Sequence, residues 1–420
     1  MKTSKNAYYA FALLFLLYMF DYIDRLIIVS LFPFLQKDWG LTDTECGLLV
    51  SAVYWSILLF SFPVSIIVDR WSRKKAIGLM AILWSIATLL CVFTRNFKQL
   101  FGARIAIGIG EAGYAPGGTA LISALFPPEK RAKILGIWNA SIPLGSALGI
   151  ALGGIIAERL GWRHAFGIVA IPGFVLALMF FKVKDYRTVE LMRTRSHEID
   201  EPPTKMTFLD IAKTFLTKKS LLLNNLAFAS NVFVTTALLS WMPTYFHRMH
   251  DLPMSKAGIK GGLIMFLAII GAPLGGYLSD RWMKHTPRAR MLLPAISSAV
   301  SAIILFVAFG YLGGAHQYLA LLCLGVTIIM FVPAGVAVTQ DVVHPGLRAI
   351  SLSINIVIQH TLGSSLGPLF VGILSDRHDL TMALKTLPIF CVIGDVLFFI
   401  GAFFYETDVN STEQVDLILD

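Results

Sequence analysis

Val68-Asp69-Arg70-Trp71-Ser72-Arg73-Lys74 is a short charged stretch between two apolar runs, 46–68 and 76–94. Its acid–Arg doublet returns at Glu158-Arg159, Asp280-Arg281 and Asp376-Arg377, each time at the end of an apolar run. In the last three a glycine stands four residues before the acid (Gly154, Gly276, Gly372). In the first, Ser65 holds that place. A small residue there permits close backbone approach between helices. The acid can cap a neighbouring helix N-terminus or pair with Arg across an interface. Four such doublets at equivalent places read as gating contacts, which lock one face of a helical bundle and break when it opens. The gating candidates are Asp69, Arg70, Arg73, Glu158, Arg159, Asp280, Arg281, Asp376 and Arg377.

The chain around these doublets is apolar. Of 420 residues 56% are hydrophobic and 15% charged, against roughly 25% charged in an ordinary globular domain. That composition describes an all-α integral membrane protein. Runs of the length a bilayer crossing needs lie at about 7–35, 46–68, 76–94, 100–125, 133–156, 163–181, 221–246, 258–279, 290–312, 316–343, 349–374 and 383–405. The first is too long and too interrupted by charge to be a cleaved signal. A polar stretch at 182–219 carries both charge signs and Pro202-Pro203. It divides a six-helix bundle at 1–181 from a second at 220–405, with a tail at 406–420. The net charge of +9 is not that of a nucleic-acid binder. Lys and Arg concentrate on the loops that share a side with both termini, which predicts a cytoplasmic position for that side. A multi-pass monomer in a cell membrane, bacterial inner membrane by type, is expected. The four cysteines (Cys46, Cys91, Cys323, Cys391) have no metal or disulfide spacing.

The two halves repeat. Pro116-Gly117-Gly118-Thr119-Ala120 aligns with Pro333-Ala334-Gly335-Val336-Ala337 at an offset of 217, and Arg131-Ala132 with Arg348-Ala349. One residue further on, Gly145-Ser146-Ala147-Leu148-Gly149 aligns with Gly363-Ser364-Ser365-Leu366-Gly367. Parallel six-span halves with a midplane site between them are a transporter architecture.

On these residues the chain resembles the major facilitator superfamily. Val68–Lys74 is similar to the signature loop between spans 2 and 3, with Ser65 and Ser72 in place of its usual glycines. Arg104 through Gly110 is similar to the span-4 motif. Within the superfamily, Asp21-Tyr22-Ile23-Asp24-Arg25, Gly110-Glu111-Ala112 and Trp241-Met242-Pro243 resemble both spinster-like transporters and organic-anion/proton symporters. Gln359-His360-Thr361-Leu362-Gly363 with Gly367-Pro368, and the stretch from Phe126 to Gly149, tilt the resemblance toward the spinster-like group. Ala124 departs from it, standing where many of that group carry an acid. The resemblance implies alternating access, with spans 1, 4, 7 and 10 lining the cavity.

Asp21, Asp24 and Arg25 lie inside the first run, and Arg104 and Glu111 inside the fourth, two turns apart on one helix face. A charge at bilayer depth costs at least ~2.5–3.5 kcal/mol. A chain tolerates that only where the charge meets a partner or a wet cavity. The repeat sharpens the point: at the 217 offset, Arg104 meets Leu321 and Glu111 meets Ile328. Scaffold demands act on both halves, so the unmatched charges read as functional. A buried carboxylate can load and release a proton near neutrality, and Arg suits bidentate binding of a carboxylate or phosphate. Glu111 and Asp24, with Asp21, are therefore the expected proton carriers. Arg104 and Arg25 are expected to meet an anionic substrate. Softer substrate contacts are expected from Asn231, Thr235 and Trp241 in span 7 and Gln359 and His360 in span 11. Asp395 in span 12 has no assigned role.

The expected function is a secondary transporter of an amphiphilic or lipid-like anion, coupled to protons and using no other cofactor. A small organic anion such as a sugar acid is the alternative cargo. A non-transporting receptor would not need four gate doublets and a full titratable set. No nucleophile or metal cluster supports an enzyme. Gly108–Gly113 matches G-x-G-x-x-G but follows no strand. Gly363–Gly367 matches G-x-S-x-G, but its repeat partner has Ala147 at the serine place. Close helix packing is expected to explain both.

Overall fold

In the computed structural model, residues 5–70, 72–183, 217–344 and 347–412 are described. Twelve helical passes account for nearly all of them, each satisfying its own backbone hydrogen bonds as a lipid-facing segment must. Span 1 runs Lys5–Leu26, continues through a 3-10 turn at Ile27–Ser30 and ends with Phe32–Trp39. Span 2 is Asp43–Arg70, and span 3 is Arg73–Leu90 with Cys91–Phe93. Span 4 is split into Phe97–Glu111 and Tyr114–Leu125, and span 5 into Pro128–Asn139 and Ser141–Leu160. Span 6 is Trp162–Phe180 and span 7 is Lys219–Met249. Span 8 joins Met254–Phe266 to Ala268–Met283, and span 9 is Ala289–Gly310. Span 10 is split into Gly314–Thr327 and Phe331–Asp341. Span 11 is Arg348–Ile358, a π-helical turn at Gln359–Ser364, and Leu366–Arg377. Span 12 joins Leu380–Lys385 to Leu387–Asn410. Ten of these passes are long and apolar enough to cross a membrane by length and composition. The remaining two are spans 1 and 4, which carry the buried charges.

Most of the expected linker, residues 184–216, lies outside the described residues, as do the side chains of Asp69, Arg70 and Arg73. The last helix runs past the expected start of the tail at 406 because Asp408 has a structural task. Its Oδ2 accepts from the Ser220 amide at 2.8 Å and hydroxyl at 2.6 Å, capping span 7, and Lys218 Nζ donates to its carbonyl at 2.7 Å.

The G-x-S-x-G-like repeat is a packing device. A Cβ on Gly145 would lie 2.3 Å from the Met19 carbonyl oxygen, and one on Gly149 2.7 Å from that of Ile23. In the second half, Gly363 would meet the Ala229 oxygen at 2.8 Å and Gly367 the Phe233 oxygen at 2.3 Å. Span 5 thus sits on span 1 as span 11 sits on span 7. Only a residue without a side chain allows that approach.

Even numbers of passes bring Lys5 and Asn410 to one end of the bundle. At the other end the halves are bolted together. The Asp376 carboxylate accepts from the Asp43 and Thr44 amides, both at 2.8 Å, so span 11 caps span 2. Glu158 Oε2 accepts from the Ser255 amide at 2.7 Å, so span 5 caps span 8. Gly372 and Gly154 let these helices close up: a Cβ would stand 2.4 Å from the Asp43 oxygen and 2.3 Å from the Met254 oxygen, respectively. At the terminal end, Asp280 bonds Arg290 of its own half at 2.7 Å, and Arg281 donates to Tyr277.

Candidate functional site: a buried charge cluster in the first half

Span 1 supplies Asp21, Asp24 and Arg25 from its last turns before the helix tightens to 3-10. Span 4 supplies Arg104 and Glu111, and its helix breaks directly after Glu111, at Ala112-Gly113. A broken pass at the charged residue is how transporters expose a polar site inside the bundle. All five side chains are buried: Asp24 and Arg104 at 0% exposure, Arg25 at 6%.

Arg25 is the hub. Its Nη2 lies 2.9 Å from Asp21 Oδ2 and 2.8 Å from Glu111 Oε2. One nitrogen serves both acids, and Arg25 Nε has no partner among the described residues. The guanidinium therefore keeps donor capacity for another oxyanion. It also faces two rings, 4.5 Å from the centroid of Tyr22 and 5.6 Å from that of Tyr54. Tyr54 of span 2 stacks on His360 in the π-turn of span 11, centroids 5.6 Å apart. The chain Arg25–Tyr54–His360 crosses from one half to the other. A π-turn inside a helix is often found at a functional position.

Arg104 is placed differently. Its Nε donates to the Leu49 carbonyl at 3.0 Å, Nη1 to that of Asp24 at 3.2 Å and Nη2 to that of Arg25 at 2.8 Å. It ties spans 1 and 2 to span 4 through backbone and has no carboxylate partner among the described residues. Asp24 turns away from Arg25, toward Trp84, Ser85 and Gly173 of spans 3 and 6. Around the cluster stands an aromatic wall. Tyr18 stacks on Trp138 at 4.4 Å, Trp84 meets Tyr114 edge-on at 5.2 Å, and Tyr114 and Trp138 both donate to the Leu14 carbonyl.

Among the residues expected to touch substrate, the structure brings His360 to the cluster and leaves others elsewhere. Gln359 donates to Asn355, which donates to Asn225 at 2.8 Å, forming an amide ladder between spans 11 and 7. Asn231 accepts from Ser298 at 2.9 Å and donates to the Ala227 carbonyl, so it joins span 7 to span 9. Thr235 bonds back to the Asn231 carbonyl, and Trp241 donates to that of Pro368 at 2.9 Å. These three satisfy helix packing in this conformation because a buried polar group takes whatever partner its face offers. Asp395 is half-exposed on span 12.

Sequence reasoning passed over a second charged site. At the bolted end, Arg248 of span 7 grips Asp43 of span 2 with both nitrogens, at 2.8 and 2.6 Å, and Gln36 at 2.7 Å. Ser375 and Gln36 also donate to Asp43, both at 2.5 Å. The partners are 205 residues apart, so no spacing pattern could reveal the pair. The one usable signal was an acid at the N-terminus of an apolar run. Arg159 and Arg377, by contrast, are exposed and make no ion pair among the described residues.

The family profile described as Major Facilitator Superfamily matches residues 14–368. The chain is similar to "Probable sphingolipid transporter spinster homolog 1" of Arabidopsis thaliana, 27% identical over 91% of this chain and 83% of the relative. It is similar also to the "Hexuronate transporter" of Bacillus subtilis, 27% identical over 69% of this chain and 68% of the relative. The crystal structure of a bacterial homolog to the human lysosomal transporter Spinster, in an inward-facing and unoccupied conformation, superposes with a TM-score of 0.84. That likeness covers 96% of this chain and 99% of the other at 23% identity, so it bears on fold. The split spans, the paired halves and the family profile agree, and the chain belongs to the major facilitator superfamily of membrane transporters, with similarity to spinster homologues and to a hexuronate transporter.

Proposed function

We propose that the protein is a proton-coupled transporter of an amphiphilic, lipid-like anion, with Arg25 as the anion contact and Glu111 as the main proton carrier. The observation that carries the proposal is Arg25 Nη2 held between Asp21 and Glu111 inside the bundle. An incoming carboxylate or phosphate competes with Glu111 for that guanidinium. A displaced buried carboxylate is unstable as an anion and takes a proton. Substrate and proton are then linked through one residue, and linkage makes the coupling reciprocal. Asp21 keeps Arg25 oriented, and Asp24 is a second proton carrier. Arg104 holds spans 1 and 2 in register in this conformation and meets substrate only if it leaves its carbonyls. The aromatic wall of Tyr18, Tyr114 and Trp138 suits the apolar part of an amphiphile. Protons are the coupling ion and no other cofactor is used. The protein works as a monomer in a bacterial inner membrane with both termini cytoplasmic. In that orientation the bolted end is the outer gate: Asp376, Glu158 and the Arg248–Asp43 pair close it, while Asp69, Arg70, Arg73, Asp280 and Arg281 serve the inner one.

The test is proton-coupled flux in proteoliposomes carrying Glu111→Gln. Coupling falls to background if Glu111 carries the proton; wild-type coupling with wild-type pH dependence removes it from the scheme. A small organic anion is the second reading, favoured by the likeness to the hexuronate transporter. A thermal-shift screen of lysolipids against sugar acids separates the two, since only a bound substrate stabilises the fold.

A further inference from the structure

Asp24 and its neighbours on span 3 form a second polar site, apart from the Arg25 hub. Asp24, Trp84 Nε1, Ser85 Oγ and Thr88 Oγ1 are buried together; the Thr88 hydroxyl stands beside the Asp24 carboxylate, while Trp84 Nε1 and Ser85 Oγ have no hydrogen-bond partner among the described residues. None of the four side chains is more than 1% exposed. Such a gathering is costly, because each unpaired buried polar group forfeits its full hydration. Gly173 of span 6 faces it. A Cβ placed there would stand 3.0 Å from Ser85 Oγ and 4.0 Å from both Asp24 Oδ2 and Trp84 Nε1, and these are its three nearest neighbours. The three polar atoms nearest Gly173 are thus one acceptor, one donor and one hydroxyl that can do either.

We propose that Gly173 is a positioning residue that keeps a water-binding niche open against Asp24. A single water there accepts from the Trp84 N–H, donates to Asp24 Oδ2 and shares a bond with Ser85. Three polar partners are what a buried water typically needs. A cation fits this site less well, since the indole N–H points positive charge into it. Asp24 thereby exchanges its proton with a bound water inside the first half, without reaching the Arg25–Glu111 pair. The inference rests on the proposed role of Asp24 as a proton carrier. The charged groups facing Asp24 are Asp21 on its own helix and Arg104 and Glu111 on span 4. Span 3 adds Cys91 and neutral hydroxyls, and span 6 adds Gly173.

Infrared difference spectroscopy of the full-length protein in lipid nanodiscs, titrated with pH, tests this without using transport. The protonated-carboxyl band lost in Asp24→Asn identifies the group. Gly173→Ala fills the niche and should change that band's frequency and move its titration midpoint by about one pH unit or more. Ser85→Ala and Trp84→Phe, which remove a water partner without adding bulk, should change the same band. Gly167→Ala on the same helix should not, since its Cβ meets only Val92 Cγ2 at an ordinary 3.5 Å. An Asp24 band unchanged in all three niche variants overturns the proposal, as does the lack of any Asp24 band in the wild type. Loss of the role given to Glu111 would leave this readout untouched.

Discussion

The glycine contacts register the two halves against each other. Gly145 and Gly149 rest on Met19 and Ile23, and Gly363 and Gly367 rest on Ala229 and Phe233. Met19 therefore corresponds to Ala229 and Ile23 to Phe233. By the same register Asp21 corresponds to Asn231, Arg25 to Thr235 and Asp24 to Val234. Breaks in spans 4 and 10 also correspond, after Glu111 and around Ile328. Backbone architecture repeats, and the buried charge cluster does not. Where the first half holds an acid and a guanidinium, the second holds an amide and a hydroxyl that bond to their own helix or to Ser298. Packing needs are met in both halves; only the first buries a cluster of opposite charges between its spans.

The two halves differ most at the Arg25 position. Arg25→Met leaves Asp21 and Glu111 buried without their counter-charge. Removing one partner of a buried pair costs about 3–5 kcal/mol, visible as a large fall in the unfolding temperature in detergent. Thr235→Val at the mirror position removes one back-bond to the Asn231 carbonyl and should cost about 1 kcal/mol or less. Equal losses at the two positions would mean the charge cluster is scaffold.

Arg104→Met comes next. It strips donors from three carbonyls on spans 1 and 2, a loss of about 2–3 kcal/mol. Its sequence counterpart Leu321 already does without them. Arg104→Lys should recover only part of the loss, since an ammonium cannot reproduce the planar fork. Full recovery with Lys would reduce Arg104 to a point charge.

How far the sequence alone reached follows from the same asymmetry. The passes were legible because apolar runs of that length have few other uses: the run expected at 221–246 is the helix Lys219–Met249. The charges at Asp21, Asp24, Arg25, Arg104 and Glu111 stood out because burial makes them expensive. Their division of labour was hidden. Nothing in a one-dimensional pattern distinguishes Arg25, paired to two acids, from Arg104, spent on carbonyls. Tyr54 and the Arg248–Asp43 pair were hidden for a related reason, since a tyrosine in an apolar run or a charge beside a loop is ordinary until its partner is known. Asn231 and Thr235 were placed on one face of span 7, but the helix turns that face to its neighbours.

Arg248→Ala tests the bolt at the far end. A partly buried bidentate pair is worth about 1–2 kcal/mol, so its loss should shift the closed-to-open ratio about tenfold. A cysteine at Ser51, buried between spans 2 and 11 by its bond to the Ser365 carbonyl, should then label faster in a background lacking the exposed Cys323. An unchanged labelling rate would assign closure to the helix caps alone.

The smallest effects fall on the acid–Arg doublets at the span ends. Asp376 accepts two amides and the Thr44 hydroxyl, so Asp376→Asn exchanges a charged cap for a neutral one. Capping losses of this kind are typically about 1 kcal/mol or less. Ser51→Cys labelling should rise modestly in that variant. Arg377→Ala should leave both labelling and unfolding temperature unchanged, because its exposed side chain holds no ion pair among the described residues. The same contrast should hold between Glu158 and Arg159 in the other half. Pseudo-symmetry then becomes a quantitative claim: the two acids act alike, and the two arginines are silent alike. A strong effect of Arg377→Ala with none of Arg159→Ala would show that the gates, like the charge cluster, are unequal in the two halves.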